Sequence, residues 1–386
     1  MCFSRNLRVL QAIRQGTIGG GETHVMSLVQ TLNKELYTPI VLSFTHGPMV
    51  EQIEKMGIKA YVIPTEKPFN VLKWAQVKKL MEDEKIDLLH AHGTRAASNT
   101  FWAAKQLGLP IIYTVHGWSF HIDQNPLVMK SRQLGEKWLL KYSDSTICVS
   151  ESNLKDGLSF SKMDGTVVIK NGIDLQTYNP LRVLNDIKAE LGIPKEMVLV
   201  GYIARITAQK DPLTLVRAIA LIPSSLPLMF LLVGDGDLKP AVVQLAKDLK
   251  VSSRILFLDA RQDIPEILQA IDIYCLPSLW EGLSIGLLEA MSMGKAVVAT
   301  AIDGTKEVVK NNINGLLIPP NAPDRLAEVL IELAIDSELR LALGSAARQT
   351  IQNEYSLEVM TRGIEHVYQK TLSKSVQKAS ASISTL

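Results

Sequence analysis

Two carboxylates, Glu281 and Glu289, are the only charged residues of a largely apolar segment, Ser278 to Gly294 (SLWEGLSIGLLEAMSMG). An apolar run typical of a buried strand, IDIYCLPS, precedes the segment, and a β-rich run, AVVAT, follows it. Ser284 is a suitable helix N-cap, so we predict a turn that carries Glu281 and a short helix that carries Glu289. Backbone N–H groups at such a turn bind phosphorylated ligands in parallel sheets. Because acids repel phosphate, we expect these two to bind sugar hydroxyls.

Two cations, Arg205 and Lys210, follow another strand-like run, VLVGYIA. A helix is predicted to start at Asp211-Pro212, since proline is favoured at the first helical position. Surface cations are usually solvated and alone indicate nothing. At the carboxyl end of a parallel strand, however, they can reach the same ligand as Glu281. Two fixed cations can neutralise the negative charge of a bound anion without a metal.

A glycine-rich loop, Gly16-Thr17-Ile18-Gly19-Gly20-Gly21-Glu22, follows the first predicted strand. Its glycines let the backbone approach a ligand closely. The spacing departs from the dinucleotide fingerprint, and no convincing acid ends the second strand, so we do not expect a nicotinamide cofactor. A tight turn without a ligand is the alternative to a ligand-binding loop.

Three histidines end two consecutive predicted strands: His90 and His92 in HAHG, and His116 in TVHGWSFH. Alternate residues of a strand face the same way, so His90 and His92 could form a metal pair. No third ligand is evident nearby in the sequence. A packing or supporting role is therefore favoured for this pair, and no metal site is predicted.

The whole chain has the composition of an ordinary globular protein. At 386 residues it exceeds one usual core, so two domains are expected. A formal net charge of +2 does not call for nucleic acid as a partner. Three widely spaced cysteines without a C-x-x-C pair indicate reduced thiols. No signal peptide and no apolar stretch of roughly 20 residues is visible, so we expect a cytoplasmic protein that could still attach to the inner face of the membrane.

Short apolar runs alternate with helical patterns from residue 7 onward, pause at residues 174–196 and then resume. This alternation predicts an α/β fold built from doubly wound parallel sheets. We place the domains at residues 1–180 and 181–355. A C-terminal helix is expected at 356–372, followed by a disordered, serine-rich tail at 373–386.

The segment from Ser278, together with the following EAMSMGKAVVAT, resembles the donor-site signature of the retaining glycosyltransferases of family 4. The resemblance extends over residues 7–372 and is most specific in the second half. It implies the GT-B architecture, in which two Rossmann-like domains face a cleft and the last helix crosses back onto the first domain. The Asn171-Gly172-Ile173-Asp174 element resembles the hinge of this family.

The resemblance also implies residue roles. Glu289 would bind the ribose and Glu281 the transferred sugar, while Arg205, Lys210 and the N–H groups of Leu283 and Ser284 would hold the diphosphate. His116 would lie near the anomeric carbon, with a capping or core role as the alternative. The remaining expected donor contacts are Gly282, Gly20, Gly21, Gly234 and Arg261. Trp118 and Phe120 would stack on the acceptor, although either could simply fill a gap.

The function implied is metal-independent, retaining transfer from a nucleotide sugar, with UDP favoured, to a glycan or lipid-linked sugar. The HGWSFH element, with Arg132 and Glu136, resembles members that assemble surface polysaccharides. The helix KPFNVLKWAQVKKL could contact anionic lipid through its lysines and Trp74, or simply pack on its own sheet. Two other functions remain open: a sugar-nucleotide epimerase of the same architecture, and a catalytically silent nucleotide-sugar-binding protein.

Overall fold

The computed structural model describes residues 5–17, 19–120, 125–302 and 304–383. They divide into two compact units. Unit 1 contains the residues up to Gly172 and those from Leu357 onward, and unit 2 contains Ile173–Ser356. Unit 2 thus begins before the predicted boundary at 180/181. The reason is local, because the Ile173 N–H donates to the Tyr355 carbonyl and Ile173 forms a β-bridge with Ser356.

Unit 1 is built on a seven-stranded parallel sheet whose order is β3-β2-β1-β4-β5-β6-β7. The strand order reverses between β1 and β4, which is where parallel sheets of this kind bind ligands. The strands are β1 Leu7–Ile13, β2 Tyr37–Ser43, β3 Ala60–Val62, β4 Leu88–His92, β5 Ile111–Val115, β6 Ser145–Cys148 and β7 Thr166–Val168. The helices are α1 Gly20–Thr31, α2 Pro48–Lys55, α3 Val71–Asp83, α4 Gly93–Gln106, α5 Pro126–Tyr142, α6 Glu151–Phe160 and, at the end of the chain, α15 Leu357–Ile383.

Unit 2 is built on a six-stranded parallel sheet in the order β10-β9-β8-β11-β12-β13, and its order reverses between β8 and β11. The strands are β8 Val198–Ile203, β9 Leu228–Val233, β10 Ile255–Leu258, β11 Ile273–Leu276, β12 Ala296–Thr300 and β13 Leu316–Ile318. The helices are α7 Ile187–Glu190, α8 Pro212–Leu221, α9 Lys239–Asp248, α10 Ile264–Ala270, α11 Ile285–Ser292, α12 Thr305–Val308, α13 Pro323–Ile335 and α14 Ser337–Glu354, with short 3-10 turns at Ala208–Lys210 and Ser252–Arg254.

The predicted fold class is confirmed in both units. Every run that the sequence marks as a strand forms one, and all strand pairs are parallel. The strands are largely apolar because helices cover both faces of each sheet. The central strand β1, for example, is buried at all but one of its positions.

The C-terminal helix α15 belongs to unit 1, where Ile364 and Tyr368 share a core cluster with Val9 and Leu28. Helix α15 continues to Ile383. The prediction of a disordered tail from residue 373 is therefore wrong for residues 373–383. Residues 384–386 lie outside the described part of the chain. Helix α15 extends beyond residue 372 because the tail contains neither glycine nor proline, the residues that usually end a helix. Among the described residues, no helix has both the length and the hydrophobicity to cross a membrane.

Candidate active site

Two adjacent loops of unit 2 bring together the predicted charged residues. The loop after β8 carries Arg205 and Lys210, and the loop after β11 carries Ser278 and Glu281. Since β8 and β11 are neighbours at the point where the strand order reverses, their carboxyl ends lie side by side. Gln209 ties the loops together: its carbonyl accepts from the Leu279 N–H at 2.8 Å, and its side-chain amide donates to the Trp280 carbonyl at 3.0 Å.

The Lys210 ammonium forms a direct ion pair with the Glu281 carboxylate. The Ser278 hydroxyl donates to the same carboxylate oxygen at 2.8 Å. Both charges are largely buried, with 13% of the Lys210 side chain and 8% of the Glu281 side chain exposed. Removing either partner would leave a buried charge without compensation, which is costly. Sequence reasoning placed both residues at one edge of the sheet but assigned them to different parts of the donor, so this pair is new.

Arg205 adds a second positive charge at the same edge. Its side chain is exposed, and its guanidinium lies 3.5 Å from the Gln209 side-chain oxygen. That separation is too long for a strong hydrogen bond, so the guanidinium keeps its capacity to bind an anion.

Glu289 lies in α11, the short helix that was predicted to carry it, and its side chain is buried. Burial raises the pKa of its carboxyl to about 7, and a hydrogen bond with the Tyr178 hydroxyl opposes part of that rise. Tyr178 lies in the polar stretch before β8, which sequence reasoning treated as a linker. Its carbonyl accepts from the Ser292 hydroxyl at 2.8 Å, which joins this stretch to the end of α11.

The predicted turn before α11 is present, with Ser284 as N-cap. The Ser284 side chain makes no capping hydrogen bond. Backbone crowding explains two glycines nearby. A Cβ at Gly304 would lie 2.1 Å from the Gly282 carbonyl oxygen, and one at Gly234 would lie 2.1 Å from the Ala204 carbonyl oxygen. Gly234 has a φ of +144°, which also favours glycine.

Arg261, a predicted donor contact near the base pocket, has its side chain paired with two acids. Its guanidinium pairs with Glu190 at 2.8 Å and also with Asp263. These two acids occupy the guanidinium in the absence of a ligand.

In unit 1, a continuous chain of hydrogen bonds joins the three predicted histidines to two residues that the sequence did not single out, Gln11 and Tyr368. The Tyr368 hydroxyl contacts Nδ1 of His90 at 2.7 Å and accepts from the Gln11 amide at 2.8 Å. The Gln11 oxygen contacts Nε2 of His92 at 2.9 Å, and Nδ1 of His92 contacts Nε2 of His116 at 3.1 Å.

This chain fixes the tautomers of the two histidines at its end. The Gln11 oxygen can only accept, so Nε2 of His92 carries the proton and Nδ1 of His92 is an acceptor. Nε2 of His116 must then donate to it, which leaves Nδ1 of His116 with a lone pair. Burial lowers the pKa of both His92 and His116 well below the usual value, so both rings are neutral at pH 7.

A fourth histidine, His24 in α1, completes the cluster. Its ring is 4.8 Å from that of His116, centroid to centroid, and its Nδ1 contacts the Asn171 side-chain oxygen at 2.9 Å. Burial lowers the pKa of His24 to about 4. Its Nε2 is buried and has no hydrogen-bond partner among the described residues.

Of the predicted loop glycines, Gly20 starts α1 and Gly21 lies against His116. A Cβ at Gly21 would be 3.7 Å from the imidazole, whereas one at Gly20 would meet nothing within 4 Å. Gly21 therefore brings the first turn of α1 close to His116, while Gly20 leaves open space.

Trp118 does not fit the predicted acceptor role. It is buried in the core of unit 1, packs against Phe160 and donates its indole N–H to the Asn153 carbonyl at 2.9 Å. Phe120 packs on the same cluster and is partly exposed. The loop that continues from it, residues 121–124, lies outside the described residues. Glu136 is also internal, and binds Thr94 at 2.6 Å and Tyr113 at 2.9 Å.

Comparisons with known proteins identify the family of the chain. Residues 18–177 match the model of Glycosyltransferase Family 4, and residues 184–350 match that of Glycosyl transferases group 1. A UDP-Gal:alpha-D-GlcNAc-diphosphoundecaprenol alpha-1,3-galactosyltransferase of Escherichia coli is 30% identical, with 83% of this chain and 86% of the relative covered. An N-acetyl-alpha-D-glucosaminyl L-malate synthase of Bacillus anthracis is 26% identical, with 82% and 84% covered.

Solved structures share the fold. Anabaena HepE in complex with UDP and glucose superposes with a TM-score of 0.84 at 22% identity, with 94% of this chain and all of the other covered. WaaG, a glycosyltransferase involved in lipopolysaccharide biosynthesis, superposes with a TM-score of 0.77 at 18% identity, with 93% and 99% covered. The two Rossmann-like units therefore place this protein in the GT-B class. Within that class, the chain belongs to glycosyltransferase family 4.

Proposed function

We propose that this glycosyltransferase is a retaining, metal-independent enzyme that transfers a hexose from a UDP-sugar to a lipid-linked sugar in the assembly of a surface polysaccharide. The observation that carries the proposal is the Lys210–Glu281 ion pair, with Arg205 beside it, at the carboxyl ends of β8 and β11. The E. coli relative, named for a UDP-galactose donor and a diphosphoundecaprenol acceptor, supports the choice of substrates.

In unit 2, donor binding would exchange the ion pair for ligand contacts. Glu281 would accept hydrogen bonds from hydroxyls of the transferred sugar, while Lys210 and Arg205 would bind the diphosphate. Glu289 on α11 and Tyr178 in the chain before β8 would bind the ribose. Each charge-assisted hydrogen bond contributes about 1.5–3 kcal/mol, so a few of them can stabilise the departing diphosphate.

In unit 1, His116 would act on the transferred sugar as a neutral group. Positive charge develops at the anomeric carbon as the leaving group departs. An imidazolium would repel that charge, whereas a neutral ring offers the lone pair of Nδ1. The hydrogen bond to His92 and the burial of the ring both keep His116 in this form.

The acceptor proposal gains support from an exposed face of α5 that is both apolar and basic. Leu127 is 78% exposed and Leu134 is 65% exposed. Lys130, Arg132 and Lys137 on the same helix are exposed as well, while its single acid, Glu136, is buried. Leu72 near the start of α3 is 86% exposed. Such a surface fits the headgroup region of an anionic membrane, where a lipid-linked acceptor resides.

We expect the protein to cosediment with phosphatidylglycerol vesicles but not with neutral ones. The double variant Leu127→Ser, Leu134→Ser should abolish this cosedimentation.

Nucleotide release by the purified protein tests the proposal. UDP-, GDP- and ADP-sugars are offered one at a time in the presence of EDTA, with and without an undecaprenyl-diphosphate-linked sugar. We expect slow release of UDP alone, strongly accelerated by the acceptor, and a product whose anomeric configuration is that of the donor. Tight binding without turnover toward any acceptor would identify a binding protein instead. Absence of binding to every nucleotide sugar would refute the assignment of the donor site.

A further inference from the structure

We propose that His24, His92 and His116 form a binding site for a divalent transition metal ion, with Zn²⁺ as the preferred ion. Each residue offers one ring nitrogen as a ligand atom, and the three nitrogens lie within 4.8 Å of one another. Two of them, Nδ1 of His92 and Nε2 of His116, contact each other in the absence of an ion. The sequence alone gave no reason to expect this site, because it offered His90 and His92 without a third ligand. The fold supplies His24 from α1 and His116 from the end of β5 instead.

The hydrogen bonds around the cluster orient two of the three rings for metal binding. His24 donates from Nδ1 to Asn171, and His92 donates from Nε2 to Gln11, so each presents its other nitrogen with a lone pair. Metal-ligating histidines nearly always donate their second N–H to an oxygen in this way. The buried Nε2 of His24 has no hydrogen-bond partner in the described part of the chain. A bound cation would provide that partner.

The geometry is close to what the ion needs. Two nitrogens on a tetrahedral Zn²⁺ are about 3.4 Å apart, given Zn–N bonds of 2.0–2.1 Å. Nδ1 of His92 and Nε2 of His116 are 3.1 Å apart. To bind the ion, His116 would shift its proton from Nε2 to Nδ1, so no proton is released. His116 is partly exposed, which leaves an approach for the ion and room for a water as fourth ligand.

The ligand set also selects the ion. Three neutral imidazoles suit Zn²⁺, Co²⁺, Ni²⁺ and Cu²⁺, whereas Mg²⁺ and Ca²⁺ prefer oxygen ligands. His90 is excluded from the set because Tyr368 and Thr114 occupy its two nitrogens at 2.7 Å. A consequence that rests on the proposed function is inhibition by Zn²⁺, since a metal-bound His116 cannot act on the sugar.

Isothermal titration with Zn²⁺ and visible spectra with Co²⁺ test the site in the metal-free protein. We expect one ion per chain, the intense absorption of tetrahedral Co²⁺, and no binding of Mg²⁺. His24→Gln should abolish detectable Zn²⁺ binding, because it removes one of the three ligands. His116→Gln, at a partly exposed position, is the second variant, and circular dichroism verifies that each variant is folded. His46→Gln combined with His366→Gln is the matched control, because both of these histidines are exposed.

Loss of Zn²⁺ binding in both cluster variants, with retention in the control, would support the site. An absence of binding by the wild type, or retained binding in either cluster variant, would overturn it. These outcomes do not depend on transfer activity, because binding is measured without a sugar nucleotide. Failure of the metal site is thereby distinguished from failure of the proposed function.

Discussion

The polar centres of the two units occupy the same place in their sheets but are built in opposite ways. Each lies at the carboxyl ends of the strands that flank the reversal of strand order, β1 and β4 in unit 1 and β8 and β11 in unit 2. Unit 1 buries neutral histidines in one continuous hydrogen-bonded chain. Unit 2 holds a largely buried charged pair, with Arg205 exposed beside it. The same topology can therefore hold either a fixed neutral network or exchangeable charges.

Under the proposed function, the difference matches two chemical tasks. A diphosphate carries full negative charge, so its site needs cations that can change partners when the ligand arrives. An anomeric carbon acquires only partial positive charge for a short time, so its neighbour needs a fixed lone pair and no charge.

Lys210→Met should produce the largest effect. It removes a cation from the diphosphate and leaves Glu281 as a buried charge without its ion-pair partner. We expect kcat to fall by about 10²–10³, the usual loss when a group that stabilises transition-state charge is removed. Steady-state UDP release measures it. Lys239→Met is the control, since Lys239 pairs with Asp235 and Asp259 elsewhere in the same unit. Equal kinetics for the two variants would contradict the role of Lys210.

His116→Gln should have the next largest effect, with kcat lowered about 10²-fold and the Kd for UDP nearly unchanged. Glutamine keeps a polar side chain but cannot supply the imidazole lone pair at the same position. Because the diphosphate contacts are assigned to unit 2, binding of UDP itself should not depend on this residue. A large rise in the Kd for UDP would show instead that His116 is part of the nucleotide site.

The sequence was informative about features that depend on local pattern, namely the strands and the residues that follow them. Continuous apolar runs predicted the strands, and the topology of parallel sheets then placed Lys210 and Glu281 at one edge. The sequence could not reveal that Lys210 and Glu281 form an ion pair. That contact requires β8 and β11 to be neighbours, and the order of strands in the sheet decides this. Trp118 was misjudged for a related reason, since aromatic residues in a loop have the same pattern whether they contact a ligand or the core.

Long-range partners were beyond sequence reasoning. Gln11 and Tyr368 are 357 residues apart, and His24 and Asn171 are 147 apart. No periodicity connects such residues, and a single polar residue on a strand or helix has no distinguishing signal. Tyr178 was missed for the same reason, because its polar surroundings are typical of a linker.

The stability contributed by the two polar centres should change with pH in opposite directions, and Glu289→Gln tests this for unit 2. The pKa of Glu289 is raised to about 7, so the stability it contributes is present below its unfolded pKa and is lost as the pH rises through 7. The pKa of His24 is lowered to about 4, so its contribution is present above its unfolded pKa and is lost as the pH falls toward 4.

The variant should therefore match the wild type at low pH and become more stable than it at pH 8. The difference is on the order of 3 kcal/mol, from 1.36 kcal/mol per unit of pKa. Thermal unfolding of both proteins across this pH range measures it. Glu332→Gln, at an exposed position, is the control and should show no such trend. A difference in Tm between Glu289→Gln and wild type that stays constant with pH would rule out a buried, titrating carboxyl.

Tyr368→Phe should have the smallest effect on stability and tests whether unit 1 is a fixed network. The variant keeps the ring in its core position but removes the hydroxyl that contacts both Gln11 and His90. Leaving buried polar groups without a partner costs about 1–3 kcal/mol. Tyr142→Phe, on a partly exposed tyrosine of α5, is the control for loss of a hydroxyl.

The tautomer of His116 is a more specific test of Tyr368→Phe than the change in stability. Without the hydroxyl, the Gln11 amide can turn over and donate to His92, which reverses every donor along the chain as far as His116. Nitrogen NMR of labelled histidine should then report a mixture of tautomers in place of the single Nε2–H form. A purely structural role for Tyr368 would lower the Tm and leave the tautomer unchanged. The contrast between the units would then be one of charge alone, because nothing in α15 would be needed to hold the histidines in one protonation pattern.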